Sequence, residues 1–163
     1  MSKKSYLTDR GESKKDVLDT FNKALKDLVN KVYILSKKSI KAESLKNQLS
    51  IVIRDDPETI IKDAGPAICE HKTQIEKYSQ DPGNDNFWSE IDFEKKWGHT
   101  ENMKKYMDLF NLVKTQWPDL SIEEKKSVGK LVQTLLDRYI VYTIFIKVES
   151  GTLKAENVGF TTK

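Results

Sequence analysis

Four carboxylates, Asp81, Asp85, Glu90 and Asp92, stand on and beside one Pro-Gly loop, and clustered oxygen ligands are what a calcium ion takes. The EF-hand order needs oxygen ligands at positions 1, 3 and 5 and glycine at 6. Counted from Asp81, position 3 is Gly83 and position 6 is Asn86, so the order fails. His71 and His99 are the only histidines, too few for a His-rich metal site. Cys69, Glu70 and His71 are adjacent, but neighbours one and two apart on a helix do not face each other, so they form no nucleophile–base pair. Cys69 reads as a small buried apolar residue and His71 as a surface histidine. The seven glycines are scattered singly, which leaves no phosphate-cradling loop. No catalytic constellation emerges, and the expectation is a non-enzymatic protein with no cofactor and no metal.

Lysine pairs recur at Lys3-Lys4, Lys14-Lys15 and Lys37-Lys38, and residues 1–54 hold 13 Lys/Arg against 6 Asp/Glu. Residues 55–99 reverse that balance with 5 against 11. Such asymmetry steers association, including with copies of the same chain. Two partner classes follow. A protein partner would use the aromatic cluster Phe87, Trp88, Phe93 and Trp97, because Trp is enriched among binding hot spots. The alternative is nucleic acid, held through Lys3, Lys4, Arg10, Lys14, Lys15, Lys37 and Lys38 on the basic N-terminal third. Arginine, the preferred base reader, occurs only at positions 10, 54 and 138, which favours the protein partner or self-association.

The elements that must position these residues are helical. Ser121 with Glu124 makes a capping box, and apolar residues then recur at Val128, Leu131, Val132, Leu135, Tyr139, Tyr142 and Ile146. This helix, Ser121 to Glu149, organises the chain, and Ser150-Gly151 ends it. Its last half, Tyr139 to Ile146, is apolar nearly all round and is expected to be enclosed by other helices. Its eight-residue apolar run is bracketed by Asp137, Arg138 and Lys147, far short of the ~20 residues a membrane span needs. A first helix starts at Ser13 with Asp16 and carries Leu18, Phe21, Leu25, Leu28, Val32 and Leu35. A second runs from Ile40 to Arg54 on Leu45, Leu49 and Val52, thickened by Ile51 and Ile53. Asp56 and Pro57 open a short helix that Gly65 stops, and Pro66 begins another reaching about Gln80. Asp81 to Asp85 is a loop, and Thr100 caps a helix on Met103, Tyr106, Met107, Phe110, Val113 and Trp117.

The fold class is therefore all-α, an irregular bundle of four main helices plus two or three short ones. Residues 13–151 form a single domain, 1–12 a flexible basic arm and 152–163 a flexible C-terminal tail. The single cysteine excludes an intramolecular disulfide, and the N-terminus lacks a signal-peptide core, so the expected location is intracellular.

The segment Asp56-Pro57-Glu58-Thr59-Ile60-Ile61-Lys62-Asp63-Ala64-Gly65-Pro66, with His71-Lys72-x-Gln74-Ile75, Phe87-Trp88 and Ile91-Asp92-Phe93, resembles small uncharacterised or virion-associated proteins of nucleocytoplasmic large DNA viruses. The resemblance covers part of the chain and rests on no catalytic residue. It implies a small structural or accessory virion protein, or an adaptor made in infected cells, located in the host cytoplasm or the virion.

Overall fold

In the computed structural model, which describes residues 4–81 and 101–163, six α-helices pack around one hydrophobic cluster. They are α1 (Lys14–Leu35), α2 (Ile40–Asp55), α3 (Thr59–Glu70), α4 (Lys72–Gln80), α5 (Glu101–Gln116) and α6 (Ile122–Glu149). Four are long and two short, as the periodicity predicts.

The predicted capping box at Ser121 is present, and the helix start read at Ser13 proves to be a second one. Ser13 Oγ accepts from the Asp16 amide at 3.1 Å while the Ser13 amide donates to Asp16 Oδ2 at 2.9 Å. The Glu124 amide donates to Ser121 Oγ at 3.1 Å, and the Ser121 amide donates to Glu124 Oε1 at 3.0 Å. Each box satisfies amides that have no partner inside the helix. The β-branched end of α6 remains helical, because no turn interrupts it before Ser150 and Gly151 (φ 80°).

Helices α1 and α6 lie antiparallel along the middle of the bundle. Lys14 Nζ meets Glu149 at 3.1 Å near one end, and the Lys31 ammonium meets the Ser127 hydroxyl near the other. Val17, Phe21 and Leu28 of α1 are buried with Val128, Leu135, Leu136 and Phe145 of α6. Helix α5 packs against α1, α2 and α3, and buries Tyr106, Leu109, Phe110 and Val113.

Several expectations change. Gly65 and Pro66 do not break the chain: α3 runs through both to Glu70. Gly65 is buried where a Cβ would lie 2.2 Å from Tyr139 Cδ2, so its smallness serves helix contact. Lacking a Cβ, Gly65 also avoids the Cβ part of the clash that pushes a residue before proline out of the helical region. Pro66 faces solvent, so water can reach the Lys62 carbonyl that loses its helical donor. The break falls instead at His71, between α3 and α4. His71 is buried at that corner, not on the surface, while Cys69 is half-buried against the core. Asp56 does not cap the first turn directly; its Oδ1 accepts from the Glu58 amide at 3.0 Å, and the helix begins at Thr59. On α2 the buried face is Ala42, Leu45, Leu49 and Ile53, with Ile51 exposed.

The two arms meet each other. Tyr6–Leu7 (β1) and Thr161–Thr162 (β2) pair antiparallel, Tyr6 opposite Thr162 and Leu7 opposite Thr161. The Lys163 amide extends the ladder by donating to the Ser5 carbonyl at 2.8 Å. Phe160 is buried against Phe145 with ring centroids 4.7 Å apart, and Arg138 reaches Glu12 at 2.7 Å. Neither arm has helical periodicity, and each supplies the hydrogen-bond partners and apolar cover that the other lacks.

Candidate functional site

Phe87, Trp88, Phe93, Trp97 and Lys3 lie outside the described residues, as do His99, Thr100 and most of the acidic loop. The other predicted basic residues divide. Lys4, Lys14 and Lys15 come together with Lys163 around a cavity of about 630 Å³, closed on one side by Ser5, Tyr6 and Phe145. The pairing of the termini builds this cavity, which no local pattern announces. Two of its lysines are engaged: Lys14 lies 3.1 Å from Glu149 and 4.0 Å from Glu58, and Lys15 lies 3.0 Å from Asp19. Arg10 is exposed in the link between β1 and α1. Lys37 and Lys38 follow α1 at its other end, roughly 30 Å away for a helix of that length. The six described basic positions therefore do not form one patch.

A different surface arises from α6 itself. Among the described residues, one side of its apolar second half is enclosed: Tyr142, Phe145 and Val148 are buried, while Tyr139 and Thr143 are half-buried and Ile146 is 39% exposed. The expectation that neighbouring helices wrap this segment holds on one side only. The other side lines a groove of about 350 Å³ between α3 and α6, made by Tyr139, Tyr142, Thr143 and Ile146 and flanked by Lys62 and Lys147. The close approach of Gly65 to the Tyr139 ring sets how near α3 comes to α6 at this groove.

At the groove's edge, Tyr142 donates its hydroxyl to Glu58 Oε2 at 2.8 Å, and Lys62 lies 3.2 Å from the same carboxylate. The Tyr142 bond, helped by Lys62 and Lys14, holds the Glu58 carboxyl below its ordinary value. Burial, reinforced by Glu58, pushes the Tyr142 phenol up, and burial does the same for Tyr139. The groove thus presents an apolar floor, a fixed neutral phenol and a lysine on either flank. Among the described residues, no three His, Cys, Asp or Glu come together as a metal could require.

The sequence carries a faint signal for this groove. A segment apolar on all sides needs cover on all sides, and among the described residues α3 covers only part of it. No helix among the described residues is long and apolar enough to cross a membrane. What fold and surface define is a class, an all-α bundle with an apolar groove on its central helix. Set against protein-family models, curated proteins and solved structures, the chain matches none.

Proposed function

We propose that this chain is a non-enzymatic protein-interaction module, acting inside the cell, whose α3–α6 groove receives an acidic amphipathic helix of a protein partner. The observation that carries this reading is the half-enclosed end of α6. Tyr139, Thr143 and Ile146 recur at spacings of four and three on one face, and a partner helix with the same spacing lays its apolar stripe along them. From Tyr139 to Ile146 the floor runs about 10 Å, two turns of helix. Lys62 and Lys147 flank it, so acidic residues beside the partner's stripe meet opposite charge, which sets register and speeds encounter. The titratable pair at the edge favours binding over proton transfer. Glu58 is shifted down and Tyr142 up, both away from the neutral range where a general acid or base works best.

Selection of a displayed helical-peptide library on the full chain tests this. Enriched peptides should be acidic and amphipathic, and Ile146→Glu should abolish their binding while leaving the melting temperature within a degree or two, since Ile146 is already partly in solvent. Selected peptides that bind Ile146→Glu as well as the parent would place the interaction elsewhere and end the proposal. The virion setting implied by the resemblance of residues 56–93 belongs to the same proposal, and proteomics of purified particles tests it.

The second reading, nucleic-acid binding, is favoured by one observation, the gathering of Lys4, Lys14, Lys15 and Lys163 around one cavity. It predicts an affinity for single-stranded or duplex oligonucleotides that falls log-linearly with salt and weakens in Lys4→Ala/Lys15→Ala.

A further inference from the structure

Five large apolar side chains stand exposed among the described residues, and three of them share one end of the bundle. Ile34 in the last turn of α1 is 58% exposed, Ile40 at the start of α2 is 85% exposed and Ile122 at the start of α6 is 61% exposed. They share that end because α1 and α6 are antiparallel: Lys31 meets Ser127 and its charge reaches Glu124, while Lys14 meets Glu149 at the far end. Lys37 and Lys38 lie between Ile34 and Ile40 in the chain, both exposed and both in the left-handed region, φ 57° and 59°. Their amides close the turn onto the Ile34 and Tyr33 carbonyls at 3.1 and 2.8 Å. Glycine adopts this conformation without the steric cost that a Cβ brings, so helix termination alone does not ask for lysine at either position.

The surrounding charges are mostly occupied. Lys41 lies 3.9 Å from Asp108, Lys126 lies 3.8 Å from Glu123, and the Glu124 carboxylate is turned back onto the Ser121 amide. Glu43, in the first turn of α2, and Asp119, three residues before Ile122, are the acids that remain nearby among the described residues.

We propose that this end docks on an anionic phospholipid bilayer, with Ile34, Ile40 and Ile122 entering the headgroup–acyl boundary and Lys37 and Lys38 meeting the lipid phosphates. Apolar residues beside lysine are the composition of interfacial anchors. A second copy of the chain fits this end poorly, because a two-fold contact through the α1–α2 turn would bring the lysine pairs of both copies together. A protein partner fits less well too, since protein interfaces are depleted in lysine and draw their binding energy from aromatic and arginine side chains in pockets. The role is peripheral docking and is independent of the α3–α6 groove.

The test is co-sedimentation of the full chain with vesicles of phosphatidylcholine, alone and mixed with phosphatidylserine. The chain should partition onto the phosphatidylserine vesicles and release with salt. Lys37→Gly/Lys38→Gly should melt no lower than the parent yet bind about 25-fold more weakly, about fivefold for each lysine near an anionic surface. Ile40→Ser/Ile122→Ser should lose vesicle binding with its fold intact by circular dichroism. Ile146→Glu, which tests the groove, should bind vesicles like the parent. Failure of the parent to bind phosphatidylserine vesicles, or equal binding by the parent and both double variants, overturns the proposal. So does an isoleucine double variant that changes the oligomeric mass in sedimentation velocity and leaves vesicle binding untouched, because the end is then a protein interface.

Discussion

Where the termini meet, Phe160 lies on Phe145, Arg138 holds Glu12, and a two-stranded ribbon closes over the start of α1 and the end of α6. At the opposite end Ile34, Ile40 and Ile122 stand in solvent beside two left-handed lysines. The same helices supply both ends, so helix patterning does not make the difference. Side-to-side packing buries the stripes of a bundle, but its ends are covered only by chain that leaves the helices and returns. Residues 5–12 and 152–163 do this at one end. At the other, among the described residues, the four residues between α1 and α2 close a tight turn, and the link from α5 to α6 lays Trp117 and Leu120 on the core but leaves Ile34, Ile40 and Ile122 exposed.

The largest test of the contrast is Phe145→Ala. Phe145 is 1% exposed and carries the Phe160 contact, so chemical denaturation should register a loss of about 3–5 kcal/mol. A loss under about 1 kcal/mol would show that the ribbon covers a weak point, not part of the core.

Next in size is Gly129→Ala, towards the bare end. A Cβ there would lie 2.2 Å from Tyr78 Cε1, and Tyr78 is held by its hydroxyl on the Lys125 carbonyl and by its ring against Trp117 at 5.2 Å. Overpacking of about 1–3 kcal/mol should outweigh the gain of about 1 kcal/mol that alanine brings to a helix interior. A variant that melts higher than the parent would mean Tyr78 has room to move, and that α4 is loosely attached to α6.

Ser121→Ala removes a capping oxygen where α6 begins and should cost about 0.5–2 kcal/mol in the same assay.

Acid dependence sharpens the picture at the groove's edge. Glu58 sits below its ordinary 4.5, so near that pH the unfolded chain binds a proton that the folded chain refuses. Its contribution is present above the ordinary value and lost as pH falls through the lowered one. Tyr142 is raised above its ordinary 10.0, so its contribution is present below pH 10.0 and lost as pH rises beyond. Tyr142→Phe should therefore flatten both limbs of a plot of melting temperature against pH. Limbs unchanged from the parent would mean the hydroxyl–carboxylate bond contributes nothing.

The smallest expected effect is the most direct statement of the comparison. Ile40→Ser should change stability by no more than about 0.5 kcal/mol, because a side chain already 85% in water loses little when shortened. A clear loss would show that the bare end is covered after all.

What the sequence determined by itself is what depends on neighbours in the chain. Ser13 with Asp16 and Ser121 with Glu124 form their boxes from residues three apart, and the stripe from Val128 to Tyr142 needs only the helical period to be recognised. The aromatic cluster at Phe87 to Trp97 was the sequence's candidate for a partner, and it lies outside the described residues. Tertiary structure decided everything that hangs on residues far apart. Gly65 and Pro66 look like a helix boundary locally, yet α3 runs through both, and Gly65 lies against Tyr139, 74 positions on. His71 is buried because two helices meet at it, and the termini pair because each supplies hydrogen-bond partners to the other. Half of an evenly apolar helix becomes a groove for a related reason. Periodicity states which faces are apolar, and only the number and length of the neighbours that arrive decide which of those faces meets water.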